Sequence, residues 1–215
     1  MTQPTSSALS TDGSEPFLTT QYNTLRTDVL ALSPGWMAHR YTSGGRWHWA
    51  APNFYYNAIG LPYALDYIWA TPILIGPSSS LTGFGLVVTA GVAGNARMAI
   101  YADNGSCYPG DKVYEAASAF DVTGAGAKTT TFAAQTLASG LYWLAYVSDV
   151  GPSINYLPGY CKLGILGTTT LTTDVSGLVQ VAWAYQAPPN AMPDPFTGGG
   201  TLSSAAPPAL AIQLS

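Results

Sequence analysis

Two hydrophobic periods divide the chain. Leu18, Tyr22, Leu25, Val29 and Leu32 recur at spacings of four, three, four and three residues, the a/d seam of a coiled coil. The spacing predicts one short N-terminal helix, started by Thr19 or Thr20 as a cap and stopped by Pro34-Gly35. A lone helix of about four turns is marginal in water, so its stripe needs a partner, either its own β domain or copies of itself in a bundle. From Tyr41 onward the period shortens to two. Alternation is clearest in Arg97–Ala102 and Leu178–Tyr185. Strands are expected near 46–50, 65–75, 81–90, 96–102, 112–119, 129–134, 140–148, 161–166, 178–186 and 208–214. Short strands separated by Gly, Pro and Asn turns predict an all-β fold. We expect an antiparallel jelly-roll-like β-sandwich preceded by one short N-terminal helix, with an open barrel as the competing architecture.

The pattern sets two regions. Residues 1–40 form an N-terminal arm and the short helix; 1–16 are polar and too poor in apolar groups to fold alone. Residues 41–215 form the sandwich, with a long irregular loop at 187–208 that carries six prolines and the run Gly198-Gly199-Gly200. An excursion of that length is expected to lie over a neighbour or carry a binding surface.

Composition narrows the partners. Charged residues make up 8% of the 215 and apolar residues 47%, so the surface must be covered by Thr, Ser, Asn, Gln and Gly. Seven basic residues against a net charge of −4 leave no cluster able to neutralise a run of phosphates, and no nucleic-acid partner is expected. The uncharged stretch between Asp66 and Arg97 is broken by Pro72, Gly76, Pro77, Gly83 and Gly85, so membrane insertion is not expected. The first residues lack the basic start and apolar run of an export signal, which favours reduced thiols for Cys107 and Cys161.

Reactive constellations are scarce. The two histidines, His39 and His48, fall in the aromatic stretch after the helix, and no nucleophile elbow, zinc helix or phosphate-cradling loop occurs. A carboxylate pair for glycoside cleavage would have to be assembled in space from eleven acidic residues. Asp103, Asn104 and Asp111 supply oxygen atoms in one loop, but their spacing departs from a calcium loop, and hydrogen bonds closing the turns are the favoured reading. No catalytic residue, metal or cofactor is assigned, and the chain is read as not an enzyme.

Aromatic residues are abundant instead: six Trp, fourteen Tyr and six Phe. Such rings suit a core, a subunit interface or the apolar face of a sugar. Trp47, Trp49, Tyr108, Tyr156 and Tyr160 are the candidates for a surface or glycan contact; Tyr108 lies in a polar turn loop, and Tyr156 and Tyr160 are flanked by Pro and Gly.

Three stretches carry a resemblance. Arg97-Met98-Ala99-Ile100-Tyr101-Ala102-Asp103, then Tyr108-Pro109-Gly110-Asp111, then Thr136–Ala145 with its Gly140-Leu141-Tyr142-Trp143-Leu144-Ala145, resemble the β-sandwich of tailed-phage fibre and other virion surface proteins. There an "IYAD…PG" hairpin precedes a "TL..G.YWLA" strand. Residues 18–30 are similar to the short N-terminal helix that begins such fibres. The resemblance implies a non-enzymatic, homotrimeric component of the virion. Its N-terminal region attaches to other virion proteins, of tail or capsid, and its sandwich faces the host surface. Repeated His-x-His motifs and long repeats are missing, which points to a short fibre, spike or decoration protein. Two alternatives stand beside the fibre: a capsid decoration (cement) protein whose arms at 1–16 and 187–208 cross neighbouring subunits, and a carbohydrate-binding module.

Overall fold

In Asn95–Asp103 the period-two pattern separates Ala96, Met98 and Ile100 from Ala99 and Tyr101, and all five are buried. A strand apolar on both faces needs cover on both. The computed structural model describes residues 45–50, 60–76, 79–156, 182–186, 192–196, 200–203 and 205–215, and among them every regular element is a strand. In chain order these are β1 (Arg46–Trp49), β2 (Gly60–Pro62), β3 (Tyr67–Ile75), β4 (Ser79–Ala90), β5 (Asn95–Asp103), β6 (Pro109–Glu115) and β7 (Phe120–Asp121). There follow β8 (Gly126–Leu137), β9 (Gly140–Ser148), β10 (Ser153–Asn155), β11 (Ala182–Gln186), β12 (Thr201–Ser203) and β13 (Leu210–Leu214). The helical stripe Leu18, Tyr22, Leu25, Val29 and Leu32, together with His39, Tyr160, Cys161 and the strand expected at 161–166, lies outside the described residues.

The strands form two antiparallel sheets. Sheet 1 runs β1-β13-β4-β10-β2, with β8 also on β4; sheet 2 runs β12-β11-β3-β9-β5-β6, with β7 also on β5. Because β8 matches Ser79–Val88 of β4 while β13 matches Leu81–Leu86 and β10 matches Val88 and Ala90, β8 holds one edge of β4 and the other two share the opposite edge end to end.

Between the sheets, Leu81, Phe84, Leu86, Val88, Leu210, Ile212 and Leu214 meet Ile73, Ile75, Met98, Ile100, Leu144 and Tyr146. This is the sandwich core. Phe132 of β8 and Tyr114 of β6, with centroids 4.3 Å apart, close it along one side.

Sheet 2 has a second apolar layer on its far face: Ile68, Ala70, Ala99, Tyr101, Trp143, Ala145 and Val147, joined by Met192 and Phe196. That explains the near-continuous burial of Leu141–Ser148, unusual for an antiparallel strand. Of the stretch 187–208, residues 192–196, 200–203 and 205–208 are described. Met192–Phe196 is strapped to its own sheet: the Tyr101 hydroxyl donates to Pro193 O (2.8 Å), Lys112 N to Asp194 Oδ1 (3.0 Å), Lys112 Nζ to Met192 O (2.8 Å) and Phe196 N to Gly110 O (2.9 Å). Residues 201–203 add a strand to the same sheet. Two apolar side chains and the ready backbone partners on β6 hold the segment down.

Candidate functional site

The far face of sheet 1 differs from that of sheet 2. Since Phe84 and Leu86 point into the core, Gly83 and Gly85 belong to the opposite face, and the pairing registers place two rows across four strands. One row is Thr131, Gly83, Gln213 and Trp47; the other is Thr129, Gly85, Ala211 and Trp49. Neither row holds a charged residue. Lys128 and Arg46, on β8 and β1, are in register with Leu86 and Leu214 of the inner phase.

Trp47 lies along this face. A Cβ on Gly85 would meet its Cζ3 at 2.9 Å, and one on Gly83 its Cη2 at 3.2 Å. Trp47 and these glycines are two strands apart, about 9–10 Å, so the indole must lie down across β13 to reach β4. The missing side chains make its seat. Trp47 and Trp49 remain half-buried, whereas Thr129 and Thr131 are exposed. The Gln213 amide is fixed, its Nε2 donating to Gly45 O (3.0 Å), and Gly45 takes a left-handed φ of 63°. An apolar ring bordered by two hydroxyls and an amide, without formal charge, suits a ligand having an apolar face and neutral hydroxyl groups.

On the other phase of β1, His48 is opposite Ile212. Burial, and secondarily the positive charge of Arg46, holds its pKa below the usual 6.5. The imidazole is therefore a neutral packing group.

The other aromatic candidates lie elsewhere. Tyr108 sits at the edge of the strap: its ring meets Trp183 edge-on at 4.6 Å and Phe196 at 5.7 Å, and its hydroxyl accepts from Gly200 N (3.2 Å). Tyr156 bridges to Pro208 and packs against the sandwich core. Only Trp47 and Trp49 of the described candidates share a face. Gly83, Gly85, Thr129, Thr131 and Gln213 were missed by the sequence reading. The Gly-Phe-Gly alternation at 83–85 was the available sign of a cleared strand face, and the Thr-Thr-Thr run at 129–131 that of a hydroxyl row.

The turn loop 103–111 is structural in its geometry. Asp103 Oδ2 accepts from Gly105 N and Asn104 Oδ1 from Ser106 N, both at 2.8 Å, while Asp103 Oδ1 accepts from the buried Trp143 indole (2.8 Å). Cys107, exposed and at φ 56°, has its carbonyl accepting from Trp183 Nε1 (2.8 Å). The ion pairs among the described residues join Arg97 and Lys112 to Glu115, at 3.0 and 2.9 Å, beside the strap. Among the described residues no three His, Cys, Asp or Glu side chains are grouped as metal ligands. Comparison of the chain with protein-family models and with curated proteins finds no match in either.

Proposed function

We propose that the chain is a structural virion subunit of a tailed bacteriophage, a short trimeric fibre or spike. It attaches to other virion proteins by its N-terminal region and touches the host surface through the sandwich. In this reading the Leu18, Tyr22, Leu25, Val29 and Leu32 seam forms a three-stranded helical bundle, and the sandwich is of jelly-roll type. The passage of consecutive strands from sheet to sheet, β3 to β4, β4 to β5, β8 to β9 and β9 to β10, supports the latter.

The observation that carries the proposal is where the resembling residues fall. Arg97–Asp103 is β5, Pro109–Glu115 is β6 in a hairpin with it, and Gly140–Ser148 is β9, paired with β5 from Ala96↔Ser148 to Ala102↔Tyr142. Stretches matched separately in sequence thus make one contiguous block of sheet 2. The carboxylates of Asp103 and Glu115 are engaged in a turn and in ion pairs, which favours a non-enzymatic role. A cement protein would need 187–208 to cross onto a neighbour, and Met192–Phe196 is held by its own sheet. A free carbohydrate-binding module is favoured by the Trp47 face.

The test is the mass of the purified chain in solution and its presence in purified particles. The expected result is a trimer that Leu25→Asp with Val29→Asp converts to a folded monomer. A wild-type chain that is strictly monomeric and missing from particles overturns the proposal.

A further inference from the structure

The outer rows of sheet 1 go further than a general contact role. We infer that this face binds a neutral polysaccharide, with Trp47 and Trp49 as platform and Thr129, Thr131 and Gln213 as hydrogen-bonding border; the inference rests on the adhesive part of the reading above.

Three features argue for this occupant. The first is charge: eight positions in two rows carry none, so the face offers no counterion for a phosphate, an acidic polymer or a basic peptide. The second is preorganisation. The Trp47 indole is seated over Gly83 and Gly85 and the Gln213 amide is tied to Gly45, so little ordering remains to be done on binding. The third is repetition. The rows are two residues apart along each strand, about 6.6–6.8 Å, and each offers one indole at β1 and one threonine hydroxyl at β8. A chain of identical neutral rings, each with an apolar face and hydroxyl edges, matches a twofold repeat of that kind. Three such faces on one particle would add avidity to weak single sites.

The experiment is affinity electrophoresis of the full-length protein in gels containing dextran, mannan or galactan, with alginate and heparin as anionic controls. Retardation by at least one neutral polymer and by neither anionic one is expected. Trp49→Ala should weaken it, and Thr129→Glu with Thr131→Glu should weaken it about tenfold or more. The threonines are exposed, so the double variant keeps the fold, checked by an unchanged thermal transition; Trp47→Ala would open a space over the glycines and is not used alone. No retardation by any neutral polymer overturns the inference, as does retardation that survives both variants. Concentration-dependent self-association abolished by the double variant overturns it in favour of a second copy of the chain on this face. A particle-borne trimer that ignores every neutral polymer would remove only the inference. A monomer foreign to particles that binds dextran would remove only the virion role.

Discussion

Asp103 shows how one side chain joins loop to core. Its two carboxylate oxygens are divided between the turn at Gly105 and the indole of Trp143, a fully buried residue on the far face of sheet 2. Asp103→Ala leaves the Trp143 N–H without its acceptor, a loss of about 1–3 kcal/mol. A urea titration followed by tryptophan fluorescence should show the unfolding free energy fall by that amount, and an unchanged free energy would show that the indole is satisfied elsewhere. Gly83 and Gly85 act by absence: the space they vacate, rather than any contact they make, positions Trp47. That effect is hidden from a reading that tallies functional side chains. Tyr108 shows the reverse, since a tyrosine in a polar turn reads as solvent-facing until Phe196, 88 positions later in sequence, is seen to pack on it.

At the level of elements, the strap Met192–Phe196 is the piece that turns one face of sheet 2 from a surface into a core. Phe196 meets the rings of Tyr101, Tyr108 and Tyr185 edge-on at 5.2, 5.7 and 5.1 Å. Phe196→Ala should therefore cost about 3–5 kcal/mol and open 192–203 to proteolysis, read as new cleavage there by limited digestion. A variant as resistant as the wild type would mean that the polar ties to Lys112 and Gly110 suffice. The long strands were legible from period-two patterning: 96–102 became Asn95–Asp103 and 140–148 became Gly140–Ser148. The strand expected at 112–119 instead spans Pro109–Glu115, because Pro109-Gly110 opens the strand rather than completing a turn; a first strand position tolerates the missing N–H. Strands β2, β7, β10 and β12 have two or three residues each, too few to show a period, and exist because a neighbour offers an edge. The two outer rows of sheet 1 were invisible for a related reason. They depend on register among four strands drawn from residues 46 to 214.

For the molecule as a whole, ionisable groups held in their neutral forms set the pH range of the fold. His48 has its folded pKa lowered, so its contribution is fully present above the unfolded value of 6.5 and is lost as the pH falls towards the folded one. Tyr63, Tyr101, Tyr142 and Tyr146 are pushed above 10.0, chiefly by burial, so the neutral phenols favour the fold below pH 10 and their contribution is lost as the pH rises beyond it. Urea midpoints measured across pH should form a plateau between these limits. His48→Asn should blunt the acidic shoulder, and an identical shoulder in that variant would assign it to other groups.

The position of β13 has a further effect, on the order of events in the cell. Strand β13, the last of the described strands in chain order, is interior to sheet 1, between β1 and β4, and Ser215 exchanges backbone hydrogen bonds with Ser80 in both directions. While these residues are still inside the ribosomal tunnel, β1 has no edge to pair with and the edge of β4 from Leu81 to Leu86 is unpaired. Sheet 1 is thus completed only once β13 has left the tunnel, and until then the open edge of β4 can pair with another chain.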